Sequence, residues 1–226
     1  MPKGHCPIGK IDYKSASGKP LRQYSRLTLI LSDPQQNYGI NSGSEVIRSY
    51  DIVAVQPETE KMFISACTTL DIDLISLDMT SRLPFPIKAG YIRQAMQRGI
   101  AFEVLYGPFV ADLTARRNII GNARTLLRFA QASFSRHGVG IVVSSGAEGT
   151  WQLRAPFDVQ NLTGLMGVAA HQRLNCLSRA AEDVFMHAAT RKHTHRAALT
   201  VLPTGNDETA PVKNASDMLE DFIEFK

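Results

Sequence analysis

Three carboxylates stand behind apolar runs of the chain: Asp33 after RLTLILS (26–32), Asp78 after DLISL (73–77) and Glu148 after VGIVVSS (139–145). In a parallel α/β fold the strand carboxyl ends carry the chemistry. Acidic side chains gathered there would bind a hard cation through oxygen and activate water for phosphoester hydrolysis. No histidine accompanies these three, and a metal site demands tight clustering, so loop caps and surface acids are the plainer reading. His193 and His195 have the form of a metal-ligand pair, but Arg191, Lys192 and Arg196 flank them in RKHTHR and would repel a cation, which makes a solvated basic segment beyond the last helix. Ser144-Ser145 lacks the preceding glycine of a nucleophile elbow. GAEG (146–149) lacks the lysine of a phosphate-cradling loop. His137, His171 and His187 stand alone.

The arginines form a pattern of their own. In ADLTARRNIIGNARTLLRFAQASF, Asp112 caps a helix, and Ile119, Ile120, Ala123, Leu127, Ala130 and Phe134 form one apolar arc. At about 100° per residue, Arg117, Arg124 and Arg128 fall on one edge of that arc. Arg116 and Arg117 lie in the first turn, where the helix dipole disfavours cations. A phosphate backbone would meet these guanidiniums and the helix amino terminus together, and Lys88 and Arg93 on the preceding helix extend the surface. The alternative is a solvated edge with salt bridges to neighbouring loops.

The elements that must position these groups follow from periodicity. Short apolar runs at 26–32, 51–55, 73–77, 101–106 and 139–145 alternate with helical spacing at about 44–49, 58–70, 88–98, 112–134, 158–166 and 170–190, which predicts a parallel sheet with right-handed crossovers. Residues 1–25 read as an irregular arm, 26–202 as one α/β domain, with ALTVL (198–202) as a stray edge strand, and 203–226 as an acidic tail ending in amphipathic SDMLEDFIEF.

Composition narrows the function classes. With 226 residues, 44% of them hydrophobic, the chain supports one α/β domain with a core. Three cysteines with no close pair form neither a disulfide framework nor a zinc pattern and suit a reducing compartment. No signal-peptide core or membrane-span pattern is found, so a soluble intracellular protein without membrane contact is expected. Residues 82–136 carry nine Lys or Arg against two Asp or Glu, whereas residues 201–226 carry two against six. A basic field of that size suits a polyanion such as nucleic acid.

The wording of several segments carries a resemblance. SRLTLILSDP (25–34), YDIVAVQPETEKMFISACTTLDIDLISLDM (50–79), RLPFPIKAGYIRQAMQRGIAFEVLYGPFVADLTARRNI (82–119), GIVVSSGAE (140–148), LRAPFDVQNLTGLMG (153–167) and TRK (190–192) together resemble the barrel-shaped 30-kilodalton protein subunit of ribonuclease P and its relative ribonuclease MRP. The resemblance implies a TIM-like α/β barrel and a place in a nuclear or nucleolar ribonucleoprotein that removes the 5′ leader of precursor tRNA. It also implies that the RNA performs the hydrolysis, with no metal or cofactor held by this chain. The partners it implies are the ribonuclease P or MRP RNA and other protein subunits, including a small α/β subunit, with precursor tRNA met indirectly. The RNA contacts expected are Lys88, Arg93, Arg116, Arg117, Arg124 and Arg128. The family's first two βα units have no equivalent in residues 1–25, so an incomplete barrel of five strands with open edges at 26–32 and 139–145 is expected, as from a shortened isoform or an incomplete gene model. The competing readings are a metal-dependent phosphoesterase barrel and a scaffold that touches only proteins.

Overall fold

The structure is a computed structural model that describes residues 23–33, 44–131, 140–195 and 199–200. Most of the expected arm, the acidic tail 203–226, His137 and the side chains of His193 and His195 lie outside the described residues.

The apolar runs form β1 (Arg26–Leu31), β2 (Ile52–Pro57), β3 (Leu74–Ser76), β4 (Ala101–Leu105) and β5 (Ile141–Ser144). They pair in parallel in the order β1-β2-β3-β4-β5, the sequential order of a TIM-like barrel. Among the described residues β1 and β5 are the two edges. Between the strands lie α1 (Glu45–Ser49), α2 (Glu60–Thr68), α3 (Ala89–Gln97), α4 (Gly107–Ala111) and α5 (Leu113–Gln131), and after them α6 (Pro156–Met166) and α7 (Arg179–His193). No helix among the described residues is long and apolar enough to cross a membrane.

Four details differ from the sequence expectation. Gly107–Ala111 is a separate short helix, started by Pro108 in its first turn and closed before Asp112. That aspartate then caps α5 as expected, its Oδ2 accepting from Ala115 N at 2.7 Å. The helix expected at 170–190 begins only at Arg179 and runs on to His193, because a 3-10 turn (Ala170–Gln172) and further turns take up its first part. Leu199–Thr200 pairs antiparallel with Thr194–His195 rather than with the main sheet. The expected open edge at β5 is partly closed, since Val143 N on its free side donates to the Cys176 carbonyl at 3.1 Å. A donor left unpaired on an edge invites association.

Alternation along the strands splits the core in two. Val53, Val55, Ile75, Phe102, Val104, Ile141 and Val143 face outward and are covered by α2, α3 and α5, with Phe63, Ile92 and Leu126 fully or almost fully buried against them. Ile52, Ala54, Leu74, Ala101 and Val142 face the other way and meet Ala180, Val184 and Ala188 of α7. The i, i+4, i+8 spacing of these three puts them on one helical face. With alanines on both sides of the contact, α7 lies close against the sheet.

Charge holds α7 in that place. Asp73, one residue before β3, has a fully buried carboxylate that Val53 N (2.8 Å), Arg191 Nε (3.0 and 3.1 Å to its two oxygens) and His187 Nδ1 (2.9 Å) all reach. Burial by itself would raise its pKa; the bonds from His187, Arg191 and the Val53 amide outweigh that and hold it below the ordinary value. The second ring nitrogen of His187 lies 3.1 Å from the Arg98 carbonyl. Gly99, at φ +82°, leaves room for that ring, since a Cβ there would sit 2.8 Å from His187 Cδ2. Asp51, one residue before β2, binds Lys192 Nζ at 2.9 Å and is also bonded by Ser25 N and Oγ. Arg191 and Lys192 are therefore not part of a solvated segment, and His187 is not alone. The helix extends far enough to set their heads against the strand amino termini.

A second ion pair crosses the inner face. Arg26 on β1 donates to both oxygens of Glu103 on β4, at 2.5 and 2.6 Å, and Ser144 Oγ donates to the same carboxylate at 2.6 Å. Burial would push Glu103 up, but Arg26, Ser144 and Ser76 hold it below its ordinary value. Three strand spacings separate β1 from β4, about 14 Å on a flat sheet, and the curl of the sheet brings the two side chains together.

Asp73→Asn leaves the Arg191 guanidinium buried without its counter-charge, and a loss of about 3–5 kcal/mol is expected. A group whose folded pKa is depressed stabilises fully above its unfolded value of 3.8 and loses that contribution as pH falls below it. The deficit of the variant, measured by urea unfolding, is therefore largest at neutral pH and shrinks as the pH is lowered through the acidic range.

Candidate nucleic-acid interface

The loops at the strand carboxyl ends are tied to one another. Asp78 Oδ1 accepts from Thr80 N at 2.9 Å and from Thr80 Oγ1 at 2.6 Å, closing a local turn. Asn118 and Asn122 of α5 then donate to the Thr80, Met79 and Ser81 carbonyls, so α5 pins the loop between β3 and α3. Ser144 serves Glu103. The Ser145 carbonyl accepts from Gly107 N at 2.6 Å, an approach that a side chain at position 107 would block. Glu148 is exposed, and its amide donates to Gln152. Among the described residues no group of three or more His, Cys, Asp or Glu is placed to hold a metal ion. Cys67 and Cys176 are buried thiols, pushed up by that burial to about 12 and about 11.

The arginines divide by what their heads touch. Arg98 donates to the Ala66, Cys67 and Leu70 carbonyls and so completes the end of α2. Arg124 donates to the Leu165 carbonyl at 3.3 Å near the end of α6, and Arg173 to the Val168 carbonyl just beyond it. Arg116 turns away from solvent. Its Nε donates to the Phe109 carbonyl at 3.0 Å and its guanidinium lies 5.3 Å from the Phe109 ring centre, on the wall of a cleft of about 530 Å³ between α4, α5 and α6. Lys88 pairs with Glu60 at 2.9 Å, an exposed contact of small energetic weight.

Arg93, Arg117 and Arg128 are different. All three are exposed, and among the described residues none has a hydrogen bond or an ion pair. On α5 the buried side is Ala115, Ile119, Ala123, Leu126, Leu127 and Ala130, so Arg117, Gly121, Arg124 and Arg128 point straight outward rather than along the edge of the apolar arc. Arg93 lies on the exposed side of α3, the helix packed next to α5. Arg82, absent from the sequence expectation, follows the loop that Asn122 holds and is likewise exposed and without an ion pair among the described residues. The basic stretch 82–136 thus separates into arginines that complete the fold and arginines that are free.

Sequence reasoning passed over the cluster at the strand amino termini, formed by Asp51, Asp73, His187, Arg191 and Lys192. A signal was present: in both DIVAV and DLISL an aspartate opens an otherwise apolar run. Looking only behind the strands missed it.

This is a parallel α/β protein of the TIM-like barrel class, with an ion pair and α7 across its inner face and, among the described residues, unpaired arginines on its outer helices. Comparison with known proteins gives the family. The model of RNase P subunit p30 matches residues 2–193, and the chain belongs to that family. It is similar to ribonuclease P protein subunit p30 of Mus musculus, 37% identical over 198 residues, covering 86% of this chain and 72% of the mouse protein. It is also similar to the probable ribonuclease P protein subunit 3 of Schizosaccharomyces pombe, 33% identical over 179 residues, covering 79% of this chain and 72% of the other. Among solved structures, a chain of an archaeal ribonuclease P determined by cryo-electron microscopy with mature tRNA shares the fold, with a TM-score of 0.63 at 18% identity over 83% of this chain and 79% of that one.

Removing a guanidinium that completes a helix end should weaken the fold, whereas removing a free one should not. Arg124→Ala is expected to cost about 0.5–1.5 kcal/mol, and Arg117→Ala to stay within about 0.5 kcal/mol of wild type, as measured by chemical denaturation.

Proposed function

We propose that this chain is a protein subunit of ribonuclease P, and of ribonuclease MRP, that binds the particle's RNA through the outer surface of α3 and α5 and leaves phosphodiester hydrolysis to that RNA. In this role it supports removal of the 5′ leader of precursor tRNA in the nucleus and nucleolus, beside other protein subunits that include a small α/β one. Family membership supports the assignment to the particle. The observation that carries the RNA-binding role is that, among the described residues, Arg82, Arg93, Arg117 and Arg128 are free on neighbouring elements while arginines around them bond to carbonyls. Guanidiniums left without partners on a fixed scaffold suit phosphate oxygens. Lys88 joins them if phosphate displaces Glu60.

The test is a filter-binding titration of the ribonuclease P RNA over a range of salt concentrations. Arg117→Glu with Arg128→Glu should weaken binding and flatten the log–log salt dependence by roughly 0.7 to 0.9 for each phosphate that is no longer neutralised. An unchanged slope in the folded variant overturns the RNA-binding surface. Cleavage of precursor tRNA by the isolated chain with Mg²⁺, abolished by Asp78→Ala, overturns the assignment of catalysis to the RNA.

A further inference from the structure

A second surface has a different chemistry. Around the cleft between α4, α5 and α6, five large apolar side chains stand exposed: Leu113, Trp151, Leu153, Phe157 and Leu165. The cleft itself is walled by Phe109, Val110, Leu162 and Leu165, with Arg116 entering from α5 and Arg154 from the approach to α6. Both guanidiniums are held by carbonyls, Arg116 by Phe109 and Arg154 by Trp151 and Leu153 at 2.7 and 2.8 Å. Asp158 lines the same cleft without an ion pair to either arginine. Ala155 gives the start of α6 no side-chain cap. Phenylalanine, leucine and arginine on one concavity, with an exposed tryptophan beside Arg154, are the composition of a protein-docking site. The leucines favour a peptide over nucleobases, which stack on flat rings.

We propose that the occupant is the chain's own acidic segment Asp217–Phe225, docked with its apolar side in the cleft. Placed at helical spacing, Met218, Leu219, Phe222 and Ile223 fall on one side, and Asp217, Glu220, Asp221 and Glu224 on the other. Glu220 and Asp221 border the apolar side, one on each flank, about 60° from Ile223 and about 40° from Phe225 respectively. The cleft offers a guanidinium on each of two walls. Polarity and sign therefore match at both flanks. Reach is sufficient, because the 17 residues from Thr200 to Asp217 span up to about 56 Å when extended, whereas α5 is about 28 Å long. A tethered segment with an effective concentration on the order of 1 mM and a dissociation constant on the order of 100 μM covers the cleft about nine-tenths of the time. This site is separate from the arginine surface proposed to bind RNA, and either proposal can fail without the other.

Trp151 is the chain's one tryptophan and its carbonyl accepts from Arg154 of the cleft, so acrylamide quenching of its fluorescence reports cover at the cleft's rim. In the full-length chain the segment should shield it. Glu220→Arg with Asp221→Arg should raise the quenching constant about threefold, and Arg116→Glu with Arg154→Glu should do the same. Combining the two pairs should restore the shielding, a result that unfolding cannot produce. A quenching constant that already matches free tryptophan in the wild-type chain, and that none of these changes alters, overturns the proposal. So does shielding that disappears on dilution, which would assign the occupant to a second copy, and shielding acquired only when RNA or another protein is added.

Discussion

The buried carboxylate of Asp73 is the constraint on which the rest of this fold depends. A parallel sheet that curls has a concave face as apolar as its convex one, and that face must be covered. Here α7 covers it, and an isolated 15-residue amphipathic helix contributes little order of its own. Its position is fixed at its carboxyl-terminal end, where His187 and Arg191 converge on Asp73 and Lys192 reaches Asp51. Cations near a helix carboxyl terminus are also favoured by its dipole. Once Asp73 is enclosed, each partner is obligatory, because a buried charge that loses one is strongly destabilising. The carboxylate therefore selects one placement of α7 over others that would bury similar apolar area.

The second ion pair extends this logic along the inner face. Arg26 and Glu103 come from strands three apart in the sheet, so their contact is possible only in a curled arrangement, and Ser76 and Ser144 satisfy the remaining acceptors of the carboxylate. Charge thus spans one part of the inner face and small side chains meet α7 on another, while Ile30 of β1 stays 58% exposed. The loops at the strand carboxyl ends are bonded to one another as well, Asn118 and Asn122 holding the loop after β3 and Gly107 meeting the Ser145 carbonyl.

The outer helical layer presents two surfaces of different chemistry. The free arginines of α3 and α5 stand on rigid helices away from apolar neighbours, a setting for a phosphate backbone. The arginines of the cleft sit among exposed tryptophan, phenylalanine and leucine, a setting for a peptide. One basic stretch of sequence supplies most of both surfaces because successive residues on a helix point about 100° apart. Arg116 and Arg117 consequently face different surroundings, the one an aromatic ring and the other solvent.

The sequence by itself determined the strand and helix alternation, the parallel order, the Asp112 cap and the family, since each rests on local periodicity, local capping or ordered similarity along the chain. Periodicity also put Arg93 on α3 and Arg116, Arg117, Arg124 and Arg128 on α5. Which arginines are free was decided only by the tertiary structure: Arg124 meets a carbonyl 41 residues away, Arg116 is drawn over an aromatic ring, and Arg82 is left in solvent. The roles of Asp73, His187 and Arg191 were equally hidden, because 114 and 118 residues separate the partners and nothing local marks the pairing. Periodicity records which side of an element is apolar. It does not record which distant charge will be enclosed with it, and that pairing forms only when the sheet curls and the last helix lies down across it.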